Sequence, residues 1–232
     1  VRSNLPDIHG LEKFMDFGFI NSILRTDYFP PKDMWYSPLS INYYYFGHLI
    51  TAVLIKLTQI PSNISYNLML SSLFALTFTG SFSIGINLFD RVKASKGMSL
   101  LGLITASLVT FSGNLTTIYS FFKSYVNENP VPFWNLQFLP FSFPNGYWYP
   151  NATRFIPFTI HEFPLYSFVV ADLHGHVLDI PFVLLTIALI FSFMKKKAIS
   201  LFEIIFVSFI LSIMYMTNAW DGLIYLLLSI IF

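Results

Sequence analysis

Leu57–Phe89 reads LTQIPSNISYNLMLSSLFALTFTGSFSIGINLF and contains no Asp, Glu, Lys or Arg. A helix needs roughly 20 apolar residues to cross the hydrocarbon core of a bilayer, and this run exceeds that. Gly97–Phe122 is a second uncharged run of sufficient length, and Ile180–Met194 is a shorter third that spans with its neighbours. Over the whole chain 55% of residues are hydrophobic and 11% are charged, against roughly 25% charged in a soluble domain. The prediction is an all-α polytopic membrane protein.

Orientation follows from the lysines and arginines. Asp90–Lys96 (DRVKASK) and Lys195-Lys196-Lys197 are short basic loops, and basic short loops mark the cytoplasmic side. Helices 64–89 and 179–194 then run inward, and 97–117 and 199–216 run outward. Residues 217–222 lie outside, and a further helix starts near Leu223. The domain plan is an outer loop 1–63, two transmembrane helices in 64–117, an outer loop 118–178, and transmembrane helices in 179–232. The protein is placed as multi-pass in the plasma membrane, its polar motifs extracytoplasmic. Asn42–Ile60 contains His48 and Lys56 and is read as a juxtamembrane helix in the outer interface, where its tyrosines suit the headgroup region. The chain opens at Val1 and stops inside the apolar run Leu223–Phe232. It is therefore read as a fragment, with a membrane helix expected upstream.

A net charge of +1 without a long basic run gives no argument for a nucleic-acid partner. Without cysteine, disulfides and thiolate metal sites are excluded. Residues 123–162 hold six prolines among many aromatics (Pro130, Pro132, Pro140, Pro144, Pro150 and Pro157). That density excludes a long helix and suggests a loop folded on the membrane surface.

The ionisable residues gather in two islands on the predicted outer side. In the first, apolar spacing favours an amphipathic helix over 10–25, which makes Glu12 and Asp16 i,i+4 neighbours. Like-charge crowding raises one carboxyl pKa and suits such a pair to general-base work or to holding a cation; the alternative is a solvated face partnered by Lys13 and Arg25. Pro30-Pro31 forces an extended turn, and Tyr43-Tyr44-Tyr45 suits sugar stacking, an apolar groove or plain interface anchoring. His48 is a structural histidine or a ligand. In the second island, Ile160-His161-Glu162-Phe163-Pro164 precedes Ala171-Asp172-Leu173-His174-Gly175-His176. Alternating Asp172, His174 and His176 in an extended segment share one face, where carboxylate and imidazole suit a divalent cation such as Mg or Mn, or a phosphate. The alternative is a loop tethered by histidine hydrogen bonds. Asp221, in Asn218-Ala-Trp-Asp221, is adequately explained as a helix N-cap.

Taken in order, Glu12-Lys-Phe-Met-Asp16-Phe, Leu24-Arg25, Phe29-Pro-Pro31, Asn42-Tyr-Tyr-Tyr-Phe-Gly-His48, Tyr66-Asn-Leu68, Gly113-Asn-Leu115, Ile160-His-Glu-Phe-Pro164, Asp172-Leu-His-Gly-His176 and Asn218-Ala-Trp-Asp221 resemble the uncharacterised archaeal and chloroflexus-type "YYY" membrane protein family, named for its tyrosine triplet. The chain departs from that family at Asn151-Ala-Thr before Arg154, and at His161, where the family commonly carries Asn. The family in turn resembles the membrane glycosyltransferases of the C-type (GT-C) fold. That implies a transmembrane bundle with long outer loops carrying juxtamembrane helices, and catalytic acids in the first outer loop.

The resemblance implies an inverting transfer of sugar from a polyprenyl-phosphate donor to an unknown acceptor, at the outer face of the lipid bilayer. Asp16 or Glu12 is then the base. Glu162, with Asp172, His174 and His176, holds a divalent cation or orients the donor phosphate. Arg25, Lys32 and Arg154 neutralise that phosphate, and the substrate contacts are Tyr43, Tyr44, Tyr45, His48 and Asp221. Two other classes stand beside it: a polytopic transporter, and a non-catalytic membrane protein binding metal or glycan.

Overall fold

The computed structural model describes residues 6–10, 12–88, 95–113, 133–135, 137–138, 153, 158–159 and 161–232. These form eight α-helices: α1 Lys13–Arg25, α2 Phe46–Thr58, α3 Ser62–Leu88, α4 Ser95–Phe111, α5 Pro164–Val170, α6 Gly175–Phe193, α7 Leu201–Thr217 and α8 Ala219–Ile231. A 3-10 turn spans Phe133–Asn135. Among the described residues there is no strand; Lys32 and Ser40 form an isolated antiparallel bridge. The basic residues Arg91 and Lys93, and most of the proline-rich stretch 123–162, lie outside the described residues.

Among the described residues, two helices are long and apolar enough to cross a membrane: α3 with 27 residues and α6 with 19, about 40 and 28 Å at 1.5 Å per residue. Four shorter apolar helices accompany them, at Phe46–Thr58, Gly97–Phe111, Leu201–Thr217 and Ala219–Ile231. The 13 residues of α2 reach about 20 Å, short of a hydrocarbon core of about 30 Å. Instead α2 packs on α1, α3, α6 and α7. Exposed Phe202, Ile205, Phe209, Leu227 and Ile230 give α7 and α8 an apolar outer surface suited to lipid rather than water.

Helix ends are set locally. Ser200 and Glu203 form a reciprocal capping box that starts α7. The expected outer segment 217–222 is reduced to one residue: Asn218 alone separates α7 from α8. Asp221 therefore sits in the first turn of α8 and is not its cap. It accepts a 2.7 Å hydrogen bond from the Asn218 amide, so Asn218 holds the junction.

α3 and α6 run parallel and α7 runs back beside α6, which brings the polar segments to one end of the bundle. Tyr66, near the start of α3, donates from Oη to the Ala171 carbonyl at 3.1 Å and accepts from Leu173 N at 3.3 Å. Gly175 opens α6 against the Thr217 carbonyl that closes α7. At the other end, Ser83 and Asn87 of α3 line a pocket with Ser192 of α6 and with Lys195 just after it. The core beneath the polar end joins Ile20, Ile55, Tyr66, Leu70, Leu73, Leu173, Val177 and Leu178. It fastens α1 and α2 to α3 and α6 by burial, at roughly 25 cal/mol per Å² of apolar surface.

Candidate functional site

The first polar island folds as expected into a helix, from Lys13, with Glu12 in the capping position and Asp16 in the first turn. Phe19, Ile20 and Ile23 anchor its inner face. Asp16 is carried on that buried face and is fully enclosed, whereas the Glu12 side chain is 61% exposed. One turn inside α2, His48 is equally enclosed, and its Nε2 donates to Asp16 Oδ1 at 3.0 Å.

The second island arrives on a strained turn. Ala171 adopts φ 62° after α5, a left-handed conformation costing roughly 1–2 kcal/mol for a residue with a Cβ. The turn is held by its N–H to the Ser167 carbonyl and by Tyr66 on its own carbonyl. Such strain collects at sites where geometry is dictated from outside the segment. It directs Asp172 and His174 toward α1.

His174 Nδ1 lies 3.2 Å from Glu12 Oε2 and 3.4 Å from Asp16 Oδ1. On its other side, Nε2 is 2.9 Å from Tyr43 Oη, which donates to Tyr44 Oη at 2.6 Å. With its proton given to Tyr44, Tyr43 accepts from His174 Nε2–H. Tyr44 lies against Tyr43 and packs on Gly175, where an added Cβ would fall 2.5 Å from the tyrosine ring.

The expectation that Asp172, His174 and His176 share one face of an extended segment is corrected here. Gly175 begins α6, so His176 is helical and not extended, although its ring stays 5.6 Å from that of His174. It pairs instead through Nδ1 with Glu162 Oε2 at 3.0 Å and through Nε2 with Ser167 Oγ at 2.8 Å. Two trios result, each with ligand atoms within 4.8 Å of one another: Asp16, Asp172 and His174, and Glu162, Asp172 and His176.

Electrostatics follow burial and pairing. Burial alone would raise Asp16, but His174 and His48 beside it hold its carboxyl below the usual range. Burial would lower His174, and the carboxylates Asp16, Asp172 and Glu12 overcome this and push it up to about 9. Asp172, buried and facing Asp16, is pushed up to about 7. Burial also raises Glu162, and it raises the Tyr43 hydroxyl together with Tyr44.

A cleft of about 530 Å³ adjoins the tyrosines, lined by Tyr43, Tyr44, Tyr45, Leu49, Tyr215 and Met216 among others. Tyr45, at the start of α2, faces this cleft and has no contact with the carboxylates among those described.

Not every predicted residue joins the cluster. Arg25 ends α1, about 14 Å along the helix from Asp16 at 1.5 Å per residue. Arg25 and Lys32 are exposed, and neither forms an ion pair among the described residues. Arg154 lies outside the described residues. Sequence reasoning missed Ser167 and Asp179. Asp179 is fully buried in the second turn of α6, and its carboxyl faces that of Asp221. A lone acid three residues beyond His176 was the available signal.

Across residues 1–232 the chain matches the family described as Uncharacterized membrane protein (DUF2298). It belongs to that family. No curated protein and no solved structure matches it. Membership makes the chain a membrane protein in contact with the bilayer, and the expectation of an uncharacterised membrane family holds to that extent. The acids and histidines above lie at one end of its apolar bundle.

Proposed function

We propose that this protein is an inverting, GT-C-like transferase that moves a sugar from a polyprenyl-phosphate donor at the extracytoplasmic face of the plasma membrane. The observation that carries the reading is the convergence of Glu12, Asp16, Asp172 and His174 beside a tyrosine-lined cleft, at the end of an apolar bundle. A lipid-linked substrate needs both features: an apolar path for its tail, and charged chemistry at the level of its headgroup.

Glu12 is the base in this scheme. It is exposed, whereas Asp16 is enclosed and already engaged by two histidines. Asp16 instead positions His174 and His48. A well-placed base contributes about 10²–10⁴-fold. The cleft takes the first part of the polyprenyl chain, with Tyr43 and Tyr44 at the boundary between tail and sugar. Asp172, with His174 or His176 and Glu162, would hold a divalent cation; mixed carboxylate and imidazole donors suit Mn better than Mg, which takes oxygen donors. The fit rests on Asp16 Oδ2 and Asp172 Oδ1, which are buried and lack a hydrogen-bond partner. A bound cation would supply charge neutralisation to the donor phosphate. Arg25 and Lys32, distant along the chain from the cluster, are reserved for acceptor or lipid headgroup contact.

The test uses the protein in lipid with radiolabelled polyprenyl-phosphate sugars. Sugar release that disappears in Glu12→Gln, with the fold intact, supports the reading. Absence of turnover from every donor by folded wild-type protein overturns it.

A further inference from the structure

The two trios of acids and histidines have one member in common, and Asp172 is that member. Its side chain is nearly enclosed at 3% exposure, and Oδ1 has no hydrogen-bond partner. From α1, the fully buried Asp16 likewise leaves Oδ2 unpartnered. Leaving such oxygens without a donor costs roughly 1–3 kcal/mol each, more when charged, and a native site that does so calls for an unseen partner.

The spacing of the donors has the same implication. Ligands about 2.1 Å from one ion, at angles between square and tetrahedral, sit about 3.0–3.4 Å apart. His176 Nδ1 to Glu162 Oε2 is 3.0 Å, and His174 Nδ1 to Asp16 Oδ1 is 3.4 Å. His174 Nδ1 also lacks a hydrogen bond of acceptable geometry, although two carboxylates stand within 3.4 Å. With Nε2–H committed to Tyr43, the neutral ring that metal binding selects turns its Nδ1 lone pair toward those carboxylates, a donor set suited to a cation.

We propose that the site is dinuclear: Asp172 bridges two divalent first-row ions, one held with Asp16 and His174, the other with Glu162 and His176. One imidazole and two carboxylates per position select manganese or zinc over magnesium or calcium, which take oxygen donors. This deepens the cation reading above and is independent of which sugar is transferred.

The experiment strips the protein in nanodiscs with a chelator, reloads it with manganese(II) alone, and measures bound metal and its electron paramagnetic resonance spectrum. Wild type should hold about two ions per chain with a spin-coupled spectrum, as in two-metal sites. Glu162→Gln, on an exposed side chain, should fall to about one ion with the spectrum of an isolated centre, and Asp172→Asn should lose coupling and at least one ion. Circular dichroism and gel filtration confirm folding; if Asp172→Asn does not fold, Glu162→Gln decides. A wild-type ratio near one, or both ions retained in Glu162→Gln, overturns the dinuclear site. Sugar release by such a one-ion protein would leave the transferase reading standing, whereas two coupled ions without any transfer would overturn only that reading.

Discussion

Asp16 Oδ1 and His48 Nε2 meet at 3.0 Å with neither side chain reaching solvent, although 32 residues separate them in the chain. The contact welds α1 to α2, and α1 in turn presents Glu12 and Asp16 to His174. His48 thus acts as a support for the site, and the ligand alternative loses its appeal because its Nε2 is committed to the carboxylate.

Removing that support leaves the buried Asp16 carboxylate with His174 as its remaining histidine. His48→Ala is expected to cost about 1–3 kcal/mol, the range for one lost partner of a buried polar group, with Asp16→Asn milder because its amide is uncharged. Thermal unfolding followed by tryptophan fluorescence measures both. A shift in His48→Ala no larger than that of exposed Lys197→Gln would show the pair to be energetically idle.

The charge on His174 gives a pH dependence in the chelated protein. Its folded pKa of about 9 exceeds the ordinary 6.5. Stability from the protonated ring is therefore fully present below about pH 6.5 and drains away as pH rises through 9. Asp172, also raised, to about 7, adds a loss of the same sign at lower pH, between its ordinary 3.8 and 7. In His174→Asn the part of the slope between about pH 7 and 9 that the ring contributes should be lost, leaving only what Asp172 adds; an unchanged slope there would assign the effect to another group.

Glu12→Gln should lower turnover about 10²–10⁴-fold and leave the melting temperature within experimental scatter, since the side chain is largely exposed. Glu12 would be excluded as the base if the variant transferred sugar at the wild-type rate.

Gly175 is sterically required. A Cβ there falls 2.5 Å from both the Thr217 carbonyl and the Tyr44 ring, so Gly175→Ala must push α6 from α7 or displace the tyrosine. Overpacking of this kind costs about 1–3 kcal/mol. Loss of activity should exceed loss of stability, because Tyr44 holds Tyr43 on His174. Equal activity per folded molecule would place the tyrosines outside the working site.

Asp179 has no exposure, and the group facing its carboxyl is another acid, Asp221. Asp179→Leu is expected to raise thermal stability, by about 1–3 kcal/mol if the buried carboxyl is uncompensated. A fall in stability would mean that Asp179 serves a bound species the apolar side chain cannot hold.

Much of this was legible in the residues themselves. Uncharged runs announced α3, α4 and α6 because bilayer thickness fixes the length of an apolar segment. The i,i+4 spacing put Glu12 and Asp16 on one side of α1, and the polar islands were recognisable because acids and histidines are scarce elsewhere. The partnerships were not legible. Local pattern suggested that Asp172, His174 and His176 formed one set, but helix α6 begins at Gly175 and divides them, because backbone closure against Thr217 and Tyr44 decides where that helix starts. Pairing His174 with Glu12 and Asp16, His176 with Glu162, and His48 with Asp16 depended on how α1, α2 and α6 pack over a common core. Sequence determined which groups lie at the polar end; only the packing of distant segments decided which of them touch, because spacing along a chain specifies neighbours within one helix and says nothing of those across two.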